Sequence, residues 1–464
     1  MTRTLIRGGT LLFPDESGQL RGESGDLLIE GERFVAVGEV ELDEKQARAA
    51  APGASWADSG PPGGSPPTVV DASDCAVLPG LIQSHVHLCQ TLFRGAADDL
   101  PLLDWLRRRV WPLEAAHDPE SMRASARLAI AELLRSGTTA VQTMETVRHT
   151  EVALEVIAES GMFAVAGKCL MDDPETSPAA LVEPTDVALQ ETIDLAETWH
   201  GAAGGRLRYC LAPRFAVSCT DDCLRQVGKL ATELGLRIHT HASENRQEEA
   251  LVEERTGQRN VAYLDTVGCS GSHVGIAHCI WVNDAEIEIL ARTGTHVLHC
   301  PGSNCKLGSG VAPVPRLLDA GVAVSLGADG APCNNALDIF REMRLAALLH
   351  KARGDPEAMP AGTVLALATR GGAKALGWEN EMGALVPGAW ANVVVIDLRR
   401  LHATPRHDLV STLVYSTHAA DIRDVWLAGR QVVEDGRLTL WDEDEVRAEA
   451  DDQALKLNRR AGLA

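Results

Sequence analysis

Between residues 76 and 382, short apolar segments alternate with longer amphipathic segments, and this alternation constrains the fold more than any other feature. The apolar segments are AVLPGLIQ, TTAVQTM, FAVAGKCL, LRYCLAP, RIHTHAS, HVGIAHC, THVLHC and VAVSLGAD. The stretches between them, such as ESMRASARLAIAELLRSG and DCLRQVGKLATELG, have the periodicity of amphipathic helices. Eight strands that alternate with helices predict an α/β protein with a (β/α)8 TIM barrel, whose active site forms at the carboxyl ends of the strands.

The two ends of the chain carry a different pattern. GDLLIEGERFVAVG near the start and IRDVWLAGRQVVEDGRL near the end alternate apolar and polar residues around glycine turns, which predicts short strands. Because the two ends resemble each other, we expect them to form one small β-sandwich domain. The expected parts are residues 1–75, a barrel at 76–382, a second β part at 383–438 and an acidic tail or helix at 439–464. Residues 44–68, rich in Ala, Gly, Pro and Ser, are interpreted as a loop insertion.

The charge and cysteine content exclude several classes of protein. The 43 Lys and Arg residues against 65 Asp and Glu residues give a net charge of −22, which disfavours nucleic acid and anionic membranes as partners. No apolar run approaches the ~18 residues of a membrane span, and the N-terminus lacks the apolar core of a secretory signal. Eleven cysteines without regular spacing favour free thiols in a reducing compartment. We therefore expect a cytoplasmic protein.

Histidines and carboxylates follow several of the predicted barrel strands. His85 and His87 come directly after the first apolar segment, and alternate residues of a strand share one face, so both rings can enter one site. The other candidates lie at the ends of further predicted strands, namely His239, His241, Glu244, His278 and Asp329. Imidazole and carboxylate ligands suit Zn²⁺ or Fe²⁺, and an open coordination position would hold a water for chemistry. The sequence therefore predicts a catalytic metal site.

Six further histidines have no such placement and are interpreted as ordinary surface residues. They are His117, His149, His200, His273, His350 and His402.

The chain resembles the amidohydrolase superfamily, in its branch of cytosine, guanine and adenosine-type deaminases and triazine chlorohydrolases. The resemblance covers roughly residues 5–435 and rests on PGLIQSHVHL, TLFRGAADDLPLLDWL, HTHASE, AHC, CPGSNCKLGSGVAPV, GADGAPCNNALDIFREMRLA and the closing GxxxPGxxANVVVIDL. It implies a small amino-heterocycle as substrate and a homo-oligomer, since relatives are commonly dimers or tetramers.

The resemblance also implies roles for individual residues. The positions that match the metal ligands of this branch are His85, His87, His241 and Asp329. His278 matches the histidine that hydrogen-bonds the metal-bound water, and Glu244 matches the acid that moves a proton to the heterocycle. Relatives with two metals use a carboxylated lysine to bridge them. No lysine other than Lys168 lies near a strand end as a candidate for this role, so one divalent metal is expected, Zn²⁺ ahead of Fe²⁺. The chemistry of the side chains agrees, because Asp329 can accept the proton of the attacking water.

The substrate motifs point in two directions. The run around Glu114 resembles deaminases of 5′-methylthioadenosine, S-adenosylhomocysteine and 5′-deoxyadenosine, in which a glutamate at this position binds the ribose hydroxyls. The residues that match the purine-binding positions of guanine deaminase are Gln90, Arg214 and Phe215. We expect deamination of an adenosine-type nucleoside. The alternatives are a guanine, 8-oxoguanine or pterin deaminase, a triazine chlorohydrolase and a family member without catalytic activity.

Overall fold

Two β-sheets organise the protein. The computed structural model describes residues 2–14, 20–40 and 67–463, so most of the expected 44–68 insertion lies outside the described residues. In chain order the strands are β1 (Arg3–Pro14), β2 (Leu20–Glu30), β3 (Arg33–Gly38), β4 (Thr68–Asp71), β5 (Cys75–Pro79), β6 (Leu81–Val86), β7 (Thr138–Met144), β8 (Phe163–Gly167), β9 (Cys169–Leu170), β10 (Leu207–Pro213), β11 (Arg237–Ala242), β12 (Val274–His278), β13 (His296–His299), β14 (Val324–Leu326), β15 (Val393–Asp397), β16 (Ile422–Leu427), β17 (Arg430–Glu434) and β18 (Arg437–Leu438).

One of the two nine-stranded sheets is the predicted barrel. Its strands follow the order β6-β7-β8-β10-β11-β12-β13-β14, each parallel to its neighbour, and β9 pairs with β10. The first strand, β6, and the last strand, β14, meet near their carboxyl ends. There the Asp329 backbone N–H donates to the His85 carbonyl at 3.0 Å. Val86 and Asp329 also form a parallel bridge. These contacts nearly close the ring and confirm the (β/α)8 TIM barrel.

Helices cover the outside of the barrel. The helical segments and turns are Leu88–Phe93, Leu102–Trp105, Leu106–Val110, Trp111–Ala115, Pro119–Arg135, Thr150–Ser160, Thr185–Trp199, Ala202–Gly205, Asp221–Leu234, Arg246–Thr256, Asn260–Thr266, Asp284–Thr293, Pro301–Lys306, Val314–Asp319, Ala331–Asn334, Ile339–Leu349, Lys351–Arg353, Ala361–Ala366, Leu367–Gly371, Gly372–Leu376, Leu401–Ala403, Leu409–Tyr415, Ala419–Asp421 and Glu443–Arg460.

One helix illustrates how the sequence sets these boundaries. Helix Asp221–Leu234 begins after Thr220, whose side chain accepts the Cys223 backbone N–H, and it ends at Gly235, which has a φ of 65°. An oxygen at the N-cap and a glycine in the left-handed region are the usual start and stop signals. The buried side chains on its inner face, Leu224 and Val227 among them, pack against the barrel.

The other nine-stranded sheet joins both ends of the chain. Its order is β18-β17-β16-β15-β5-β1-β2-β3, with β4 beside β1, and it contains both parallel and antiparallel pairs. Strand β15 from the C-terminal part pairs with β5 from the N-terminal part, which confirms the small β domain built from both termini. Its core includes Phe34, Val77, Val393 and Trp426. The expected domain bounds remain a prediction. The terminal sheet includes Cys75–Pro79, most of which lies in the range 76–382 expected for the barrel.

The C-terminal acidic segment forms a helix that packs on the barrel. Glu443–Arg460 lies against helix Pro119–Arg135. Val446, Ala450 and Leu457 are buried along its inner face. Acidic residues stand in its first turn and Arg459 and Arg460 in its last, an arrangement that complements the helix dipole.

All eleven cysteines are free, and ten of them are buried. Among the described helices, none combines the length and the apolar character needed to cross a membrane.

Candidate metal centre and active site

Four candidate ligands converge at the carboxyl ends of three barrel strands. Strand β6 carries His85 and leads directly to His87, β11 carries His241, and Asp329 follows β14. The His85 Nε2 and His87 Nε2 atoms lie 3.2 and 3.3 Å from Asp329 Oδ1. Donor nitrogens of the three histidines lie within 4.8 Å of one another. Two donors of a tetrahedral site with ~2.0–2.1 Å bonds are separated by ~3.3 Å, so this donor set fits one divalent transition metal.

Backbone carbonyls fix the rings of two of these histidines. His87 Nδ1 lies 2.8 Å from the Met144 carbonyl, and His241 Nδ1 lies 2.6 Å from the Arg214 carbonyl. Because a carbonyl only accepts, each Nδ1 carries the proton and each Nε2 presents a lone pair. This outer hydrogen bond is the usual way in which proteins prepare a histidine for a metal.

A second histidine supports His85. His85 Nδ1 lies 2.7 Å from His239 Nε2, and the buried His85 Nε2 has no hydrogen-bond partner among the described residues. The sequence identified both His239 and His241 as candidates, and the structure separates them. His241 belongs to the converging donors, whereas His239 contacts His85 on the side away from its free Nε2.

The electrostatics of the site favour the protonation states that bind metal. Burial lowers the pKa of His85 to about 4 and holds the pKa of His241 well below its usual value. Burial alone would raise the pKa of Asp329, but its contacts with His85, His87 and His278 hold it well below its usual value. The imidazoles of His85 and His241 are therefore neutral near pH 7 and the carboxylate of Asp329 is ionised, as metal ligation requires.

A second carboxylate and a fourth histidine flank the ligands. His278 Nε2 lies 3.4 Å from Glu244 Oε2 and 3.9 Å from Asp329 Oδ2. Burial raises the pKa of Glu244, which favours a proton on this carboxyl group. The short helix Pro301–Lys306 orients two of these groups, since Ser303 Oγ donates to Asp329 Oδ2 at 2.6 Å and Asn304 Oδ1 lies 2.8 Å from His278 Nδ1.

Two of the site residues occupy left-handed backbone. The φ angles of His278 and Asp329 are 75° and 64°. Residues other than glycine rarely adopt this region, and such conformations cluster where a side chain must be aimed into a functional site. The sharp turns that end β12 and follow β14 thus direct both side chains inward.

A pocket opens onto the ligands at the carboxyl end of the barrel. It is lined by His87, Gln90, Leu102, Trp105, Leu106, Arg214, Phe215, His241, Glu244, His278, Leu307 and Asp329. Leu102, Trp105 and Leu106 line this pocket but were not predicted to do so. They belong to the run LPLLDWL, which the sequence analysis used only for the family resemblance. Trp105 Nε1 is buried and has no hydrogen-bond partner in the described part of the chain, so it can donate to a bound molecule.

The residues with conflicting substrate predictions form one buried cluster. Arg214 Nη1 donates to Glu114 Oε2 at 2.7 Å, and its Nη2 donates to Glu114 Oε1 at 3.3 Å. Gln90 Nε2 donates to the same Oε1 at 2.8 Å, which leaves Gln90 Oε1 without a partner in the described residues. Gln90, Arg214 and Phe215 line the pocket, and Glu114 contacts the first two of them. A carboxylate has about four acceptor positions, of which these bonds use three.

Lys168 lies outside the metal centre. Its Nζ is 2.8 Å from Glu183 Oε2 and 2.8 Å from Glu191 Oε2, and the side chain is fully buried. Because two carboxylates hold this amino group away from the converging ligands, it is not placed to bridge metals there. This placement agrees with a site for one metal.

Two histidines that the sequence interpretation placed on the surface are in fact buried. His117 is 8% exposed and lies 2.8 Å through Nε2 from the Cys89 carbonyl, and His350 is 7% exposed. Surrounding helices cover both rings, and the local sequence carried no signal of that tertiary packing.

Known proteins match the chain over its full length. A model of the amidohydrolase family matches residues 76–432. A 5-methylthioadenosine/S-adenosylhomocysteine deaminase of Haloarcula marismortui is 40% identical over 465 residues, which cover 100% of both chains. A 5′-deoxyadenosine deaminase of Methanothermobacter thermautotrophicus is 40% identical over 395 residues, covering 85% of this chain and 90% of its own. The crystal structure of an adenosine deaminase from Xanthomonas campestris with bound zinc has a TM-score of 0.88, is 32% identical and covers 99% of each chain.

Proposed function

The chain belongs to the amidohydrolase family, and we propose that it is a metal-dependent deaminase of adenosine-type nucleosides. The proposed substrates are 5′-methylthioadenosine, S-adenosylhomocysteine and 5′-deoxyadenosine, with water as co-substrate and ammonia as a product. One observation carries the reaction class. Glu244, His278 and Asp329 meet within 4 Å beside a cluster of histidine donors, and each of the three is at most 5% exposed.

The proposed metal ligands are His85, His87, His241 and Asp329. A divalent cation in such a site lowers the pKa of a bound water and so makes a nucleophile available near neutral pH. We assign Zn²⁺, since the adenosine deaminase of similar fold contains zinc and since three imidazoles and one carboxylate are a donor set that zinc accepts.

The side chains around this site divide the proton transfers among them. Asp329 accepts a proton from the attacking water, and His278 holds the oxygen of that water in line with the attacked carbon. Glu244, which burial keeps protonated to a higher pH than usual, donates to the ring nitrogen beside that carbon. Attack gives a tetrahedral carbon, and transfer of the proton from Asp329 to the exocyclic amine releases ammonia. The remaining hydroxyl proton returns to Glu244 as the carbonyl of the product forms.

The cluster of Gln90, Glu114 and Arg214 supports the choice of a nucleoside. Arg214 forms a buried ion pair with Glu114 inside the protein, where an unpaired carboxylate would be costly. We propose that the remaining acceptor position of Glu114 receives a ribose hydroxyl. Arg214 and Phe215 contact the purine from the wall of the pocket.

An ammonia-release screen tests the function. The purified protein with bound metal is assayed with 5′-methylthioadenosine, S-adenosylhomocysteine, 5′-deoxyadenosine, adenosine, guanine, 8-oxoguanine and a pterin. We expect the highest kcat/KM among the adenosine-type nucleosides. A preference for guanine would instead support the alternative in which Gln90 and Arg214 read the base alone.

A Glu114→Gln variant separates recognition of the ribose from recognition of the base. A hydrogen bond to a charged group contributes about 1.5–3 kcal/mol, so kcat/KM for nucleosides should fall by ~10- to 100-fold. Turnover of any free base that the enzyme accepts should change less. Glu120→Gln, an exposed glutamate in the following helix, is the matched control. Equal losses on nucleosides and free bases would contradict the role of Glu114 in binding ribose.

A further inference from the structure

A second group of metal-binding side chains lies on the small domain, apart from the barrel site. His402 stands in the turn Leu401–Ala403 after β15. His418 directly precedes the turn Ala419–Asp421 before β16, and Asp421 is the last residue of that turn. We refer to these three residues as the His402 cluster. Donor atoms of all three lie within 4.8 Å of one another.

One carboxylate oxygen faces both rings of this cluster. Asp421 Oδ2 lies 2.8 Å from His402 Nε2 and 3.2 Å from His418 Nδ1. The two imidazole rings are 4.2 Å apart between centroids. These donor separations are close to the ~3.3 Å between ligands of a tetrahedral site with ~2.0–2.1 Å bonds, and they resemble those around Asp329.

The surroundings position the carboxylate and leave the rings open. Asp421 is 4% exposed, and the His418 backbone N–H donates to its Oδ2 at 3.0 Å, so the carboxylate is held in place. Arg400 Nε lies 3.7 Å from the other oxygen, Oδ1, and therefore does not stand between Oδ2 and the rings. The side chains of His402 and His418 are 37% and 55% exposed, so an ion can reach them from solvent and keep waters at its other positions.

The composition of the cluster selects the class of ion. Two imidazoles and one carboxylate suit borderline transition metals such as Zn²⁺, whereas Ca²⁺ and Mg²⁺ prefer oxygen ligands. One shared divalent ion would bind the carboxylate and both rings at the same time.

We propose that His402, His418 and Asp421 form a second, solvent-accessible site for a divalent transition metal. This site shares no residue with the barrel centre and holds its ion independently of the deaminase reaction. With three protein ligands and an open face, it exchanges its ion faster than the buried centre.

Calorimetric titration with Zn²⁺ tests this site in the enzyme whose barrel centre already holds one equivalent of metal. The wild-type protein should bind one further equivalent. In His418→Ala, which removes an exposed ligand with little effect on packing, the dissociation constant for that equivalent should rise by at least ~10-fold. His402→Ala should behave in the same way. His407→Ala, an exposed histidine of the same segment, is the matched control and should bind as the wild type does.

Metal content of the barrel centre and deaminase activity are measured on the same samples. Both should be unchanged in His418→Ala, which separates this proposal from the proposed function. Absence of a second equivalent in the wild type would overturn the proposal, as would a second equivalent bound equally well by His418→Ala and His402→Ala.

Discussion

Glu248 positions the proton-transferring Glu244 through the main chain. Its Oε2 accepts the backbone N–H of Glu244 at 2.8 Å and that of Asn245 at 3.3 Å, and its Oε1 accepts from Asn260. Burial, followed by the nearby charge of Glu244, raises the pKa of Glu248 to about 7. Glu248, the third residue of the helix Arg246–Thr256 that follows β11, therefore caps the start of this helix and also fixes an active-site turn.

Replacing Glu248 with alanine should slow the reaction without removing the metal. Loss of the acceptor frees the turn at Glu244, and a contribution of ~1.5–3 kcal/mol corresponds to a ~10- to 100-fold lower kcat. KM and metal content should change little. Glu248→Gln keeps one acceptor oxygen and should restore most of the activity, and Glu253→Gln, exposed on the same helix, is the control. A pure rise in KM would contradict a positioning role.

Single residues also show how far the sequence could predict the site. The ligand set could be predicted because each donor follows an apolar strand, and the carboxyl ends of barrel strands meet at one face. The separate roles of His239 and His241 could not be predicted. Both side chains point into the barrel, and which of them contacts His85 depends on how β6 and β11 face each other across the barrel. The position of Trp105 in the pocket could not be predicted, because it depends on how a helical segment packs over the mouth of the barrel.

Among the elements, the barrel strands were the most predictable. TTAVQTM and LRYCLAP coincide with β7 and β10, two short runs whose residues are almost all buried. The run AVLPGLIQ was read as one strand but supplies two, β5 and β6, which belong to different sheets. The break falls at Gly80, where a Cβ atom would lie 2.0 Å from Thr139 Oγ1, and hydropathy carries no trace of that close approach.

The C-terminal helix Glu443–Arg460 provides a matched test of packing. This helix packs against helix Pro119–Arg135. Its Leu457 is fully buried, whereas its Leu455 is 63% exposed. Leu457→Ala should lower the free energy of unfolding by about 2–4 kcal/mol, and Leu455→Ala should change it by less than about 0.5 kcal/mol. Denaturant unfolding measures both. Equal effects would show that the acidic segment contributes no specific packing.

At the scale of the whole molecule, the metal centre connects distant parts of the chain. Its proposed ligands come from residues 85, 87, 241 and 329, so the site exists only when the barrel is closed. The terminal sheet likewise joins residues near both termini through β5 and β15. Such non-local contacts explain why local patterns predicted the elements well but left the pairing of the strands to the structure.

Removal of the metal should lower the melting temperature of the whole protein. A metal that binds only the folded state stabilises it by about 4 kcal/mol at a thousandfold excess over its dissociation constant, and ~1 kcal/mol corresponds to about 1 °C for a chain of 464 residues. Scanning calorimetry of the chelator-treated enzyme should therefore show a fall of about 4 °C, reversed by one equivalent of Zn²⁺. His241→Ala, which lacks a ligand, should melt lower and respond little to chelator or metal. An unchanged melting temperature after complete metal removal would contradict a centre that stabilises the closed barrel.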